Sequence, residues 1–165
     1  IKYFKKTNID LKIFRPFTVY GTFARPDMIF LTYLKKSLEN KSFYLFNKGN
    51  YTRDFTYVGD VAIILAKFLS VGKIKYKIFN ICSSKPIKIK KIIPIINKYS
   101  KQKCKIILKP YRKGEMIKTY GDNNKIRKII NFKKFTNIND GIKKTINWYL
   151  SFKNKDILYF DKVKY

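Results

Sequence analysis

The chain has 165 residues, 45% of them hydrophobic, which excludes a disordered chain and is enough for one ordinary domain. Its formal net charge is +28, from 38 Lys and Arg against 10 Asp and Glu, with no His. A charge this basic is typical of proteins that bind nucleic acid or an anionic membrane surface. Without His, and with two cysteines that lack a metal-ligand spacing, the sequence excludes a zinc site.

The kind and the placement of the basic residues favour a compositional origin of this charge. Only five of them are Arg, and the lysines are scattered along the whole chain rather than held in one tract. Residues with A/T-rich codons such as Ile, Asn, Phe and Tyr are abundant, whereas Ala occurs three times. We therefore interpret the charge as compositional drift and keep a basic nucleic-acid-binding module as the alternative of another class.

The cellular setting is indicated by the cysteines and the apolar runs. We interpret Cys82 and Cys104 as reduced thiols of a cytoplasmic protein. No apolar run approaches the roughly 20 residues that span a bilayer, so we expect no membrane partner. The chain begins at Ile1 rather than Met, and we interpret it as a truncated product.

The first half of the chain predicts strands and helices in alternation. An apolar run over 11–20 that ends at Gly21 indicates one buried strand, after the end of a helix over 1–7. Apolar residues at helical spacing predict a helix from Pro26 to about Asn40. The next predicted elements are a strand at 43–46, a turn at 47–50, an extended segment at 55–58, a helix at 61–69 with Asp60 as N-cap, and a strand at 76–81.

The second half continues the same mixed α/β order, without a repeat or a linker. It predicts a helix over 88–101, in which Pro94 is tolerated only near the first turn. A strand over 104–108 and a short helix over 123–130 follow. The last helix has an apolar face from Ile138 to Tyr149, with Thr136 or Asn137 as its cap. Residues 153–165 are predicted to be a loose basic tail.

Three polar clusters are candidates for chemistry. Thr18 and Arg25 lie at the end of the first strand, where open α/β sheets bind ligands. Arg53 follows a turn, and Arg112 lies beside Gly114; both are suited to binding phosphate oxygens. Taken singly, the clusters are more typical of a surface strand end, an Arg53–Asp54 surface pair and a solvated basic loop.

Taken together, the clusters resemble a known family. The motifs are Arg-x-Phe-Thr-Val-Tyr-Gly from position 15, Arg-Pro-Asp-Met from position 25, Arg-Asp-Phe-Thr-Tyr-Val-x-Asp from position 53, Phe-Asn-Ile from position 79 and Gly-Glu from position 114. Over about residues 1–152 this order is similar to the NAD-dependent epimerase/dehydratase family, the extended short-chain dehydrogenases that act on sugar nucleotides. The first two motifs resemble its UDP-glucuronate 4-epimerase branch most.

The resemblance implies a fold and a set of binding residues. Residues 1–152 are expected to be the C-terminal half of the family's domain. The fold class is α/β, the C-terminal part of a Rossmann-type parallel sheet plus a small mixed α/β substrate-binding subdomain. NAD is the implied cofactor and a UDP-sugar the implied substrate, and the complete enzyme is expected to be a homodimer. The implied roles are Phe17 near the nicotinamide, Thr18 facing the sugar, Arg25 holding the sugar nucleotide, Phe46 packing on the uracil, and Arg53 and Arg112 binding the diphosphate.

The family's catalytic parts are not expected within this sequence. There is no Gly-x-x-Gly-x-x-Gly loop and no Tyr-x-x-x-Lys in the right context, so both are expected upstream of Ile1. We therefore predict that the chain is a C-terminal half without catalytic residues, inactive by itself and poorly soluble because its apolar surface is uncovered. Thr22, Gly59 and Cys82 depart from the family pattern and weaken the choice of substrate. A UDP-glucose 4-epimerase or a nucleotide-sugar dehydratase of the same family stays the alternative.

Overall fold

The computed structural model describes residues 6–7, 9–74, 77–132 and 134–152, with the side chain of residue 152 left out. The helix end expected over 1–7 therefore falls almost entirely outside the described residues, as does the basic tail expected over 153–165. Within the described ranges, no helix is long and apolar enough to cross a membrane.

The described residues form eight strands and five helices in an interleaved order. The strands are β1 Lys12–Pro16, β2 Thr18–Tyr20, β3 Phe43–Phe46, β4 Thr52–Arg53, β5 Phe55–Tyr57, β6 Lys77–Ile81, β7 Ile87–Lys88 and β8 Ile106–Lys109. The helices are α1 Ile29–Leu38, α2 Val58–Leu69, α3 Ile89–Ser100, α4 Asn124–Ile130 and α5 Ile138–Phe152, and a 3-10 turn spans Asn47–Gly49.

Strand pairing confirms the expected α/β class. β1 pairs with β6, β2 with β5 and β3 with β8, all in parallel, and β4 pairs with β7 antiparallel. Parallel partners need a crossover between them, and helices lie in each of these connections. Because parallel strands end at the same edge, β1 and β6 finish side by side, with Pro16 opposite Ile81.

The single strand predicted over 11–20 is wrong, because the chain changes partner in the middle of it. The N–H of Phe17 donates to the carbonyl of Ile81 at 3.0 Å, and the N–H of Thr18 donates to the carbonyl of Asp54 at 3.2 Å. β1 therefore joins β6, while β2 joins β5. An apolar run shows that a segment is extended and buried, but does not reveal which strand lies beside it.

Asp60 is not the N-cap of α2, because the helix begins earlier, at Val58. The Asp60 carboxylate is buried and accepts hydrogen bonds from the N–H and the hydroxyl of Thr136, both at 2.7 Å. It therefore joins the start of α2 to the segment before α5. The cap of α5 is Asn137, whose Oδ1 accepts the N–H of Asn139 at 2.9 Å.

Two smaller predictions also need correction. Cys104 lies ahead of β8, which begins at Ile106, so the strand predicted over 104–108 is shifted. Pro94 is the sixth residue of α3 and thus lies beyond the first turn, yet the helix continues to Ser100. The apolar face of α3 buries Ile92, Ile93 and Ile96, and this packing outweighs the missing N–H of the proline.

Two hydrophobic clusters form the interior. The helical core joins α1, α3 and α5 to residues of β2, β3 and β5; its members are Tyr20, Phe30, Leu31, Tyr33, Leu34, Phe43, Leu45, Phe55, Ile92, Ile93, Ile96, Ile142, Ile146 and Tyr149. The sheet core joins α2 and α4 to β6; its members are Ile64, Phe68, Phe79, Ile81, Ile126, Ile130, Phe132 and Phe135.

Candidate functional site

All five residues predicted to bind a substrate line one cleft of about 600 Å³. The cleft lies between the start of β2, the start of α1, the end of β3, the β4–β5 segment and the loop that follows β8. Its volume falls in the range of small-molecule sites. The five residues are Thr18, Arg25, Phe46, Arg53 and Arg112. The fold thus assembles in one place side chains that are up to 94 positions apart in the sequence.

Arg53 is held in a fixed position in this cleft. Its Nη2 donates to Oε1 of Glu115 at 3.1 Å, its Nη1 donates to the carbonyl of Thr52 at 3.0 Å, and only 16% of its side chain is exposed. The surface pair of Arg53 with Asp54 considered from the sequence is wrong, because Asp54 is fully buried and Glu115 is the ion-pair partner. A preorganised guanidinium of this kind is suited to binding phosphate oxygens.

Arg112 lies directly on the ring of Phe46, with its guanidinium carbon 3.8 Å from the ring centroid. The backbone N–H of Arg112 also donates to the hydroxyl of Tyr51 at 2.9 Å. Tyr51 lines the cleft and was not selected from the sequence, because nothing in its neighbourhood marks it as more than a strand-flanking aromatic. A flat base that stacks on this face of Phe46 must displace the guanidinium.

Arg25 differs from the other two arginines in its surroundings. Its Nε donates to Oδ1 of Asp27 at 3.0 Å, and its Nη2 pairs with Oδ2 of the same carboxylate. The hydrogen bond from Arg25 is the main cause that lowers the pKa of Asp27. Because 72% of the Arg25 side chain is exposed, this pair contributes little to stability and can reorganise around a ligand.

The lining of the cleft is positive. Lys36 lies with the three arginines, and the carboxylates in the same lining are Asp27 and Glu115. The net balance of these side chains matches the charge of a diphosphate, whose oxygens accept hydrogen bonds from guanidinium groups. The cleft also has apolar walls from Phe43, Phe55 and neighbouring residues, which suit the non-polar faces of a base or a sugar.

Phe17, the residue predicted near a cofactor, is not part of this lining. It lies one position before Thr18, at the edge where β1 and β6 end. Its ring faces Gly121, where an added Cβ would lie 2.7 Å from the ring, so the loop approaches closely only because residue 121 is Gly. The role of Phe17 toward a cofactor stays a prediction.

The Tyr-x-x-x-Lys spacing of the resembled family occurs in three pairs of residues in the sequence. In none of these pairs do both residues lie in one helix of the described part of the chain. Tyr44 lies in β3 and Lys48 in the following turn. Tyr99 lies near the end of α3 and Lys103 lies past it. Tyr149 packs into the helical core, and Lys153 is outside the described residues.

The described cysteines and acidic residues form neither a metal site nor an activated thiol. Within the described ranges, no group of three Asp, Glu or Cys side chains could hold a metal ion. Burial raises the pKa of Cys82 to about 11 and also raises the pKa of Cys104, so neither thiol is activated as a nucleophile. A second cleft, of about 550 Å³ at the start of α5, contains none of the predicted site residues.

The fold and the cleft together define an α/β protein with a positively charged small-molecule site at the ends of parallel strands. The family model described as "NAD dependent epimerase/dehydratase family" matches residues 1–82. The chain belongs to the NAD-dependent epimerase/dehydratase family.

Relatives and solved structures agree with this assignment. The chain is 38% identical to an uncharacterized protein of Methanocaldococcus jannaschii, over 87% of this chain and 43% of that protein. It is 34% identical to the UDP-glucuronate 4-epimerase of Thermodesulfobacterium geofontis, over 85% of this chain and 43% of that one. The crystal structure of UDP-glucuronic acid 4-epimerase from Bacillus cereus, in complex with UDP-glucuronic acid and NAD, superposes with a TM-score of 0.83 at 29% identity, covering 91% of this chain and 48% of that one. The chain thus spans about half the length of the relatives it matches.

Proposed function

We propose that this chain provides the UDP-sugar-binding half of an NAD-dependent enzyme that epimerises a UDP-hexuronic acid at C4, of the UDP-glucuronate/UDP-galacturonate type. The observation that carries the proposal is the convergence of Thr18, Arg25, Phe46, Arg53 and Arg112 on one cleft. The likeness to UDP-glucuronate 4-epimerases in sequence and in fold supports the choice of sugar.

Each residue has a role that follows from its chemistry. Arg53 and Arg112 bind the diphosphate, because guanidinium groups match phosphate oxygens in geometry and charge. Phe46 stacks on the uracil once Arg112 has turned from its ring toward the phosphates. Thr18 presents its hydroxyl to the sugar, and Arg25, which is exposed beside Asp27, closes the cleft at its outer rim.

The chemistry that NAD would supply when bound is reversible hydride transfer at the sugar C4, by which the configuration of that carbon is inverted. Of the described residues, only Phe17 is assigned to the cofactor, at the strand edge beside the cleft. No residue of this chain is assigned the proton transfer. The chain by itself is therefore expected to bind UDP, to bind NAD weakly or not at all, and to turn over no UDP-sugar.

The test is a calorimetric titration of the purified 165-residue chain with UDP, UDP-glucuronate and NAD, with a parallel turnover assay. UDP and UDP-glucuronate are expected to bind, and Arg53→Ala should weaken both by about tenfold or more, because a hydrogen bond to a charged group is lost. Arg127→Ala is the matched control, since Arg127 lies on α4 outside the cleft.

Three results would contradict the proposal. Equal losses for Arg53→Ala and Arg127→Ala would mean that only the general charge attracts UDP. Turnover of a UDP-sugar by the chain alone would contradict the prediction that this chain lacks the catalytic residues. A dehydrated product or a UDP-glucose product from the complete enzyme would favour the alternatives within the family, a nucleotide-sugar dehydratase or a UDP-glucose 4-epimerase.

The alternative of another class is tested by salt. Lysines scattered over a protein of charge +28 should attract DNA weakly, with an affinity that falls steeply as salt rises. Strong, sequence-selective DNA binding at physiological salt would favour a nucleic-acid-binding module. The free thiols of Cys82 and Cys104 support a reducing, cytoplasmic setting, and the homodimer of the complete enzyme stays part of the proposal.

A further inference from the structure

Asp54 is a fully buried carboxylate beside the cleft; it belongs to the Arg-Asp-Phe-Thr-Tyr-Val-x-Asp motif, but none of the proposed roles uses it. Its Oδ1 accepts hydrogen bonds from the N–H of Ser83 at 3.0 Å and from the hydroxyl of Ser83 at 2.7 Å. Its Oδ2 accepts the N–H of Gly121 at 3.2 Å. Within the described residues, no Lys or Arg forms an ion pair with it.

A buried carboxylate satisfied by uncharged donors is costly, so its position needs a reason. Removing a carboxylate from water is unfavourable unless hydrogen bonds compensate, and an apolar side chain of similar size would fill the same space at a lower cost. The compensation at Asp54 comes from donors of two separate loops, the one after β6 and the one before α4. The carboxylate therefore reinforces a junction at which the two loops also meet directly: the Ser84 hydroxyl donates to the carbonyl of Gly121 at 2.7 Å, and the Asn123 amide donates to the carbonyl of Cys82 at 2.9 Å.

The backbone of Asp54 extends the same connection to the cleft. Its carbonyl accepts the N–H of Thr18 at 3.2 Å, and its N–H donates to the hydroxyl of Thr119 at 3.3 Å. Thr18 lines the cleft, and Arg53 is the neighbouring residue in the chain. One buried residue is thus bonded to the strand that presents Thr18 and to the loop that contains Arg112 and Glu115.

Two backbone hydrogen bonds, one on each side of Lys118, join that loop to β4, the strand of Arg53. The N–H of Thr52 donates to the carbonyl of Ile117 at 2.8 Å, and the N–H of Thr119 donates to the carbonyl of Thr52 at 3.0 Å. Asp54 then holds the following residues through Gly121. The Arg53–Glu115 ion pair spans the same two segments, so its geometry depends on how they are joined.

We propose that Asp54 is a positioning residue for the anion-binding part of the cleft. Its carboxylate holds the loop of Arg112 and Glu115 against the strand of Arg53, so that both guanidinium groups face one diphosphate. This inference rests on the proposed function, because it concerns the binding of that diphosphate. Asp54 touches no ligand itself and acts through Arg53 and the loop.

The test compares the binding of UDP with that of uridine by the purified 165-residue chain carrying Asp54→Asn. Asparagine keeps the size of the side chain but places an N–H₂ group opposite the N–H of either Ser83 or Gly121, so one of the three hydrogen bonds fails. UDP affinity, measured by calorimetry, should fall about tenfold, a loss typical of a coupled pair. Uridine affinity, measured by ligand-observed NMR, should change by less than about twofold, since uridine lacks the phosphates.

A double variant makes the inference specific. Adding Asp54→Asn to Arg53→Ala should weaken UDP binding by less than Asp54→Asn does in the unaltered chain, because Asp54 acts partly through Arg53 and partly through the loop of Arg112. Asp122→Asn is the matched control: among the described residues, its exposed carboxylate accepts the nearby N–H of Asn124 at 2.8 Å, and UDP affinity should not change. If the Asp54→Asn variant does not fold, Ser83→Ala is the substitute, because it removes one hydroxyl donor to the Asp54 carboxylate. It should lower the affinity for UDP about threefold and leave the affinity for uridine unchanged.

The outcomes separate this inference from the proposed function. If the unaltered chain binds UDP and Arg53→Ala weakens it, but Asp54→Asn and Ser83→Ala do not, only the role of Asp54 is wrong. Parallel losses of UDP and uridine, or additive losses in the double variant, would make Asp54 a purely structural residue and overturn the inference. If the unaltered chain does not bind UDP, the proposed function fails and this inference fails with it.

Discussion

The helical core and the sheet core bury their apolar residues to different extents. Of the three helices of the helical core, α1 and α3 carry none of the large exposed hydrophobic side chains and α5 carries one, Leu150, so their apolar faces are largely covered. In the sheet core, α2 buries one stripe and leaves Ile63, Leu65 and Leu69 exposed on its other side. Leu69 is 88% exposed.

The difference predicts that the outer face of α2 is the surface by which this chain contacts other protein. A helix that is apolar on nearly all sides is typical of a helix buried on nearly all sides, and α2 is such a helix by sequence. A contiguous exposed apolar face marks a contact surface or an aggregation site. We therefore expect the helical core to be complete in this chain, and the sheet core to need a covering surface. The predictions below test this contrast.

The largest expected effect comes from equal truncations in the two cores. Ile96 in α3 and Ile64 in α2 are both fully buried, so Ile→Ala removes the same atoms from each. We expect a loss of about 4 kcal/mol for Ile96→Ala and about 2 kcal/mol for Ile64→Ala, within the usual range for such cavities. Ile64 should cost less because α2 is free on its outer side and can settle into the cavity.

The measurement is the free energy of unfolding from urea titrations of both variants. If Ile64→Ala costs as much as Ile96→Ala or more, the sheet core is as rigid as the helical core. The proposed contrast between the two would then be wrong.

A medium effect is expected where α5 meets Tyr20 in the helical core. A Cβ added at Gly141 would meet the Tyr20 hydroxyl and lie 2.7 Å from the ring carbon that bears it. Gly141→Ala should therefore destabilise the chain by about 1–3 kcal/mol, despite the better helix propensity of Ala. Tyr20→Phe should restore part of the loss, because the buried hydroxyl has no hydrogen-bond partner within the described residues.

Thermal unfolding of the single and double variants provides the measurement. Gly72→Ala is the control, since an added Cβ there meets nothing within 4 Å. An unchanged midpoint for Gly141→Ala would show that α5 moves freely against Tyr20. The helical core would then be less closely packed than its contacts indicate.

The smallest effect on stability is expected at the outer face of α2. Changing Ile63, Leu65 and Leu69 together to Gln should alter the free energy of unfolding by less than about 1 kcal/mol, because these side chains are already exposed. Self-association, measured by light scattering after gel filtration, should decrease clearly. The matched control changes Ile106 and Leu108, exposed apolar residues of β8, to Gln. A monodisperse monomer before any substitution would contradict the role assigned to this face.

Local sequence patterns predicted most of the elements and the members of the site. The helix from Pro26 onward, the strand over 43–46 and the short helix before Ile130 are confirmed, because each has its own periodicity or turn residues. The five residues predicted to bind a substrate were selected by motif, and the fold brings them into one cleft. Tyr51 and Asp54 were missed as site components, since an aromatic beside a strand and an acidic residue beside an arginine look like ordinary surface.

The sequence by itself determined the α/β class, the family motifs and the residue types available for binding an anion. Those properties depend on spacing within short segments, which the chain specifies locally. Only the tertiary structure decided the partner change at Phe17, the contact of Asp60 with Thr136, the Arg53–Glu115 pair and the burial of Asp54. Each of these joins segments distant in the chain, where the solvation of a buried polar group and the competition between hydrogen-bond partners decide the outcome.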